Sequence, residues 1–158
     1  MKRFFAVVLC VIICAVSFAS CAGNQSKAVA LADVYASLEQ VTNMPAMEIM
    51  PDALIETLFG FDLSKFEEYV FAEASDPSVN SDTIILIKLN DSADMTETCT
   101  VLDEYLASVR DNTQSYSPVN YAKTNRSAVT VIGSNCIYLV ITTEYAEAEQ
   151  VIINAFEN

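Results

Sequence analysis

One segment near the middle of the chain, Thr83 to Leu89, constrains the fold more than any other because it is apolar at nearly every position. It reads Thr-Ile-Ile-Leu-Ile-Lys-Leu, so both of the faces that alternate along a strand are apolar. β-Branched residues of this kind favour strands. The segment therefore predicts a strand in the centre of a sheet. A neighbouring strand is predicted at Glu67 to Glu73, before a loop rich in proline, asparagine and serine.

Helices are predicted before, between and after the strands, because apolar residues recur there at spacings of three and four. The predicted helices run from about Val29 to Thr42, from Leu54 to Phe59, from Met95 to Val109 and from Tyr145 to Phe156. Two further strands, Ala128 to Ile132 and Cys136 to Thr142, are joined by Gly133-Ser134-Asn135, which is a three-residue hairpin signal. The polar segment from Asp111 to Ser127 is predicted as a loop.

The predicted order of elements is α-α-β-β-α-β-β-α. This order fits helices packed on one face of a four-stranded, mostly antiparallel sheet. The expected fold class is therefore α+β with two layers. The chain has neither an internal repeat of solenoid period nor a heptad run long enough for a coiled coil.

The beginning of the chain has the features of a bacterial lipoprotein signal. Lys2 and Arg3 precede an apolar run of 16 residues, Phe4 to Ala19, which is closer to the apolar core of a signal peptide than to a membrane span of about 20 residues. Small residues directly before Cys21 resemble the lipobox, in which the cysteine is diacylated before the signal is removed. Cys21 is thus the predicted lipidation site. An uncleaved anchor and cleavage elsewhere without lipid are the alternatives, and Phe18, where the lipobox usually has leucine, leaves the efficiency of processing open.

The signal sets the predicted domain boundaries. Residues 1–20 are the signal peptide, residues 21–28 are the lipidated cysteine and a small, polar, flexible tether, and residues 29–158 are a single extracytoplasmic α+β domain. Processing at Cys21 leaves 138 residues, a common size for one domain. The expected location is the outer face of the cell membrane, where a multiply acylated cysteine carries enough buried CH₂ groups for stable retention.

The charge balance excludes two kinds of partner. From Cys21 onward, six basic residues stand against 21 acidic residues, a formal charge of −15. Such a surface is repelled by nucleic-acid phosphates and by anionic lipid headgroups. Neither nucleic-acid binding nor electrostatic membrane docking is therefore expected. Solubility explains the acidity better than an acidic recognition face does.

Several short pieces, distributed over nearly all of the chain after the signal, carry a family resemblance. They are the lipobox at Cys21, Leu58-Phe59-Gly60-Phe61-Asp62, Glu68-Tyr69-Val70, the Ile84 to Leu89 strand with a following helix that contains Arg110, Tyr138-Leu139-Val140-Ile141, and Asn154-Ala155-Phe156. With these pieces the chain resembles a family of small lipoproteins, mostly from Gram-positive anaerobes, that is catalogued only as a domain of unknown function. The resemblance implies one extracytoplasmic α+β domain on a lipid anchor, and it implies no activity.

The residue types present limit the catalytic chemistry. There is no histidine, which removes Ser-His-Asp and Cys-His nucleophile activation and the common zinc sites, and no Ser-x-x-Lys occurs. The three glycines are isolated from one another, so there is no phosphate-binding loop. No cofactor and no metal are expected. The paired carboxylates that remain as candidates are Glu67 with Glu68, Asp91 with Asp94, and Glu144 with Glu147, although strand alternation and helix capping explain them.

Two cysteines, Cys99 and Cys136, follow Cys21. An exported chain can form a disulfide between them. Cys99 lies on the apolar stripe of its predicted helix and Cys136 opens a strand, so two reduced core thiols are the favoured interpretation.

Two classes of function fit these observations. The favoured class is a non-catalytic, extracytoplasmic binding or interaction module for an unknown protein or small ligand. Its weak candidate contacts are Tyr116, Tyr121, Lys123 and Arg126, since tyrosine with basic residues is a plausible contact set. An ordinary solvated loop explains them equally well. The alternative is a carboxylate-dependent hydrolase, which requires two acidic groups from different elements in one cleft.

Overall fold

The computed structural model describes residues 29–157, which form five helices and five strands. The helices are α1 (Leu31–Val41), α2 (Asp52–Phe59), α3 (Met95–Gln114), α4 (Pro118–Arg126) and α5 (Tyr145–Glu157). The strands are β1 (Met47–Ile49), β2 (Phe66–Ala74), β3 (Thr83–Leu89), β4 (Thr130–Ile132) and β5 (Cys136–Ile141). Short 3₁₀ turns at Leu63–Lys65 and Ser92–Asp94 precede β2 and α3.

The strands form one open sheet in the order β1-β2-β3-β5-β4, and every neighbouring pair is antiparallel. β3 lies in the middle, as its sequence predicts, and it has the bounds that the apolar pattern indicates. The hairpin predicted at Gly133 is also present, since Gly133 has a φ of 66° between β4 and β5. That left-handed conformation favours glycine.

Helices cover both faces of the sheet, so the expected two-layer arrangement is wrong. On one face Ile85 and Ile87 of β3 join the apolar cluster that includes Leu102 and Leu106 of α3. On the other face their neighbours Ile84 and Leu86 lie in a separate cluster. That second cluster includes Leu31, Val34 and Leu38 of α1 with Ala148 and Ile152 of α5. The domain therefore has three layers, with the sheet between two layers of helices.

The sheet has five strands and not the four expected. The additional strand, β1, is three residues long and pairs with the end of β2, Met47 opposite Ala74 and Ile49 opposite Ala72. It lies between Pro45 and Pro51, and a run this short has too few residues for a strand period to be recognised.

The loop predicted from Asp111 to Ser127 is helical over most of its length, so that prediction is also wrong. α3 continues to Gln114, and α4 occupies Pro118–Arg126. The start of α4 follows the usual rules, because Ser117 caps it by accepting a hydrogen bond from the Asn120 backbone N–H and proline takes the first turn.

The predicted signal peptide, Cys21 and the tether to residue 28 lie outside the described residues. Within residues 29–157, no helix is both long enough and apolar enough to cross a membrane.

Candidate functional site

A cavity of about 390 Å³ lies at the end of the sheet where β2 leads into β3. Its walls come from the end of β2, the β2–β3 loop, the C-terminal half of α3 and the start of α4. Most of the side chains around it are polar and short. The lining residues are Glu73, Pro77, Ser78, Asn80, Ser81, Asp82, Thr83, Tyr105, Val109, Asn112, Thr113, Tyr116, Ser117 and Asn120.

α3 supplies one wall, because Tyr105, Val109, Asn112 and Thr113 are spaced by three and four residues and share a face of that helix. Burial raises the pKa of the Tyr105 phenol; a hydrogen bond with the Thr83 side chain opposes the rise, and the charge of Glu73 adds to it. Both Tyr105 and Glu73 line the cavity, so the phenol lies in the field of the Glu73 carboxylate.

The β2–β3 loop forms a second wall and is ordered by Asp76. The Asp76 carboxylate accepts hydrogen bonds from the Ser78 backbone N–H at 3.2 Å and from the Ser78 hydroxyl at 2.5 Å. The Asp76 carbonyl accepts from the backbone N–H groups of Val79 and Asn80, at 3.2 and 3.0 Å. The carboxylate bonds are those of an Asx turn and the carbonyl bonds are those of a backbone turn, and together they give the loop a defined shape.

Asn120 joins α4 to this loop. Its Nδ2 donates a 2.8 Å hydrogen bond to the Val79 carbonyl, and the residue is buried. The two residues are separated by 41 positions in the chain. The loop and α4 are thus held together at the cavity by a tertiary contact.

A buried ion pair lies beside this contact. Lys123 Nζ is 2.5 Å from Asp82 Oδ2, and the two side chains are only 9% and 3% exposed. Lys123 is a predicted surface contact residue, but the structure places its charge in the interior. Buried charges require a partner of this kind.

Glu73 is the other acidic residue of the cavity, and it has no such partner. Among residues 29–157, neither Lys nor Arg forms an ion pair with it. Burial raises the pKa of Glu73, and the negative charge of Glu48, directly opposite on β1, raises it further. The Glu73 carboxylate thus lacks the stabilisation that Lys123 gives to Asp82.

Ser81 contributes a polar atom that also lacks a partner. Its hydroxyl oxygen is fully buried and makes no hydrogen bond. The residue lines the cavity, and its carbonyl already accepts a 3.1 Å hydrogen bond from the Thr83 hydroxyl. An unsatisfied buried hydroxyl is uncommon and destabilising.

The structure brings only one of the four predicted contact residues to this cavity as an accessible side chain. Tyr116 lies at its rim and is 90% exposed. Lys123 and Arg126 line a different, more apolar cavity of about 290 Å³ with Pro118 and Val119. Tyr121 borders neither of them. The predicted set of Tyr116, Tyr121, Lys123 and Arg126 therefore does not form one surface: Tyr116 borders the first cavity, Lys123 and Arg126 border the second, and Tyr121 borders neither.

Structural contacts account for most members of the predicted carboxylate pairs. Glu67 forms an ion pair with Lys88 at 2.6 Å, and Asp94 forms one with Lys65 at 2.9 Å. Asp91 accepts a hydrogen bond from the Ala93 backbone N–H at 2.9 Å. The Glu144 carboxylate accepts bonds from the Asn43 backbone N–H at 2.6 Å and from Asn43 Nδ2 at 2.8 Å. Within residues 29–157, no group of three or more cysteine or acidic side chains is arranged to hold a metal ion.

Cys99 and Cys136 are free thiols, partly buried on α3 and buried on β5. Burial raises the pKa of both thiols, and Asp103 adds to the rise at Cys99. A thiol of raised pKa carries little thiolate at neutral pH and is a poor nucleophile.

Sequence reasoning missed the residues that give the cavity its chemistry. The sequence predicts only a strand at Glu73, and Ser81, Asn112 and Asn120 lie in segments predicted as loops. No local signal marks them, because the cavity exists only once the β2–β3 loop meets α4. The Ser117-Pro118 pair was the available signal for α4.

The fold and the cavity define a small three-layer α/β domain with a polar cavity at one end of an antiparallel sheet. Residues 30–142, well over half of the chain, match the protein family described as Domain of unknown function (DUF4358). The chain belongs to this family. Searches of curated proteins and of solved structures give no match.

Proposed function

We propose that this protein is a non-catalytic binding module that holds a small polar ligand in the cavity between the β2–β3 loop, α3 and α4. The cavity carries the proposal: its volume of about 390 Å³ is in the range of small-molecule sites, roughly 300–1,000 Å³. Its walls offer side-chain amides from Asn80 and Asn112 beside the rings of Tyr105 and Tyr116. Convergent polar groups next to apolar surface are characteristic of ligand sites.

The cavity lacks a nucleophile paired with histidine. Hydroxyls are present, but the chain contains no histidine, which is the most common base for activating them, and Glu73 is left as the unpaired carboxylate of the lining. Lys123, which contacts the lining residue Asp82, is held in that ion pair. These features support binding over turnover.

A screen of a small-molecule library by thermal shift, with the full chain in detergent, tests the proposal. We expect to find ligands that raise the melting temperature of the wild type but not that of Asn112→Trp. In this variant the indole fills the cavity from the exposed side of α3. Gln114→Trp is the matched control, because Gln114 is an exposed amide on the same helix that does not line the cavity. Ligands that bind both variants equally would place the site elsewhere and contradict the proposal.

One observation favours a second candidate, a carboxylate-dependent hydrolase. Glu73 and Asp82 come from different elements and both border the cavity. Asp82 is inaccessible and already paired, so we rank this candidate second. Hydrolysis of a glycan or peptide library by the purified chain, lost in Glu73→Gln, would reverse the ranking.

We further propose that the domain is exported and held at the outer face of the cell membrane by lipid on Cys21, as in the Gram-positive lipoproteins that the sequence resembles. The basic residues, apolar run and cysteine at the start of the chain support this proposal. Intact mass and membrane fractionation of the wild type and of Cys21→Ala, each with its own signal, test it. A diacylglycerol increment on a chain that begins at Cys21, absent from the variant together with membrane retention, is expected. A chain that keeps Met1, or one cut elsewhere without lipid, would contradict it.

A further inference from the structure

The cavity carries one negative charge that no basic side chain of the described residues neutralises. Of its two acidic residues, Asp82 is neutralised by Lys123 at 2.5 Å. Glu73 has no basic partner among residues 29–157, and it faces the like charge of Glu48 on the adjacent strand. Like charges directly opposite on paired strands are destabilising. A positive charge placed near Glu73 would therefore be stabilised.

The volume of the cavity and its other lining residues indicate the size and the polarity of the ligand that carries the positive charge. A volume of about 390 Å³ is far larger than a single ion needs, since one water occupies about 30 Å³ in the liquid. Asn80 and Asn112 add side-chain amides to the lining. Tyr105 and the exposed ring of Tyr116 supply aromatic faces, which attract cations.

We infer that the ligand is a small organic cation, a protonated amine on a hydroxyl- or amide-bearing body, with its ammonium group beside Glu73. This inference rests on the proposed binding function and specifies the class of ligand. The body of the ligand hydrogen-bonds to the Asn112 amide, and Tyr116 covers it from the rim. The formal charge of −15 from Cys21 onward attracts such a cation and repels anions.

Three probes of one shape test the inference: glucamine, sorbitol and gluconate. They are six-carbon polyols that differ in one terminal group, which is an ammonium, a hydroxyl or a carboxylate. Heteronuclear NMR titrations of the full chain in detergent would measure the affinity of each probe from the shifts of the cavity residues. We expect glucamine to bind about tenfold more tightly than sorbitol, which is about 1.4 kcal/mol, and gluconate to bind more weakly than both.

Two variants, each of which lacks one carboxylate, test whether Glu73 causes the preference for glucamine over sorbitol. In Glu73→Gln the preference for glucamine over sorbitol should disappear. It should persist in Glu147→Gln, which makes the same change of charge at an exposed site on α5, across the sheet from the cavity. Tyr116→Ala should weaken glucamine by about threefold, in line with an exposed cation–π contact.

The possible failures can be told apart. Equal binding of glucamine and sorbitol in the cavity would overturn the cationic ligand class and leave the binding function standing. A preference that survives in Glu73→Gln would overturn the assignment to Glu73, and with it the inference. If none of the three probes shifts the cavity residues, the inference is wrong, and the library screen with Asn112→Trp decides the binding function separately.

Discussion

Lys123 and Asp82 form the most deeply buried ion pair among the described residues, with 2.5 Å between Nζ and Oδ2. Asp82 ends the β2–β3 loop and Lys123 lies in the middle of α4, so the pair fixes the helix against the loop at the cavity. Asn120 Nδ2 reinforces the same junction by its bond to the Val79 carbonyl. The shape of the cavity thus depends on polar contacts.

Loss of either charge of this pair should destabilise the domain strongly. Asp82→Asn or Lys123→Met leaves the other charge buried without its partner, which costs about 3–5 kcal/mol. The double variant should cost clearly less than the sum of the two, because no unpaired charge remains. Urea unfolding followed by circular dichroism measures all three values.

The more exposed ion pair of Lys88 and Glu67 is the control for these three variants. Its separation is similar, 2.6 Å, but the Glu67 side chain is 51% exposed, so Glu67→Gln should cost less than about 1 kcal/mol. Strictly additive costs for Asp82→Asn and Lys123→Met would show that the two charges are not coupled.

Two neighbouring residues of β3 test the three-layer architecture. Ile84 packs under α1 and α5, and Ile85 packs under α2 and α3, with both side chains fully buried. Ile84→Ala and Ile85→Ala should therefore each cost about 2–5 kcal/mol in urea unfolding. Val131→Ala on the edge strand β4, where the side chain is 47% exposed, should stay within about 0.5 kcal/mol of the wild type. A small cost at either isoleucine would mean that one face of the sheet is not covered.

The same strand shows how far the sequence predicts the fold. Its apolar pattern correctly indicates a central strand, and a strand that is apolar on both faces needs cover on both. The two-layer expectation is inconsistent with that pattern. It relied on the order of the elements, which does not say on which side of the sheet each helix packs.

α4 and the cavity show where prediction from the sequence fails. The inward face of α4 is made of Asn120, Lys123 and Thr124, so it has no apolar stripe from which a helix could be recognised. These side chains are buried because their partners come from distant positions, Val79 for Asn120 and Asp82 for Lys123. A hydrophobic period reports apolar burial only, and it cannot predict a junction made of polar pairs.

Acid should weaken the hydrogen bonds between Asn43, which follows α1, and Glu144, which precedes α5. Hydrogen bonds from the Asn43 backbone N–H and side chain hold the pKa of Glu144 below its ordinary value of 4.5. A carboxyl whose folded-state pKa is lowered contributes stability that is fully present above the ordinary value and is lost as the pH falls through the folded value. Glu144→Gln should therefore melt below the wild type at neutral pH, and the difference should close as the pH falls below 4.5. Glu147→Gln, in the first turn of the same helix, controls for the loss of one negative charge, and a gap independent of pH would contradict the assignment.

Alkali should destabilise the domain through Tyr145. Tyr138 and Tyr145 both donate hydrogen bonds to Glu149 Oε1, at 3.3 and 3.2 Å. Burial raises the pKa of Tyr145 from 10.0 to about 12, and the Glu149 charge adds to the rise. An acidic group whose pKa is raised by folding binds its proton more tightly in the folded state, so stability falls as the pH rises from 10 to about 12. Tyr145→Phe cannot ionise and should lose less stability over this interval, although it is less stable at neutral pH without the bond to Glu149. Unfolding midpoints measured across that interval for the wild type and Tyr145→Phe test this, and parallel pH profiles would show that Tyr145 ionises normally in the folded protein.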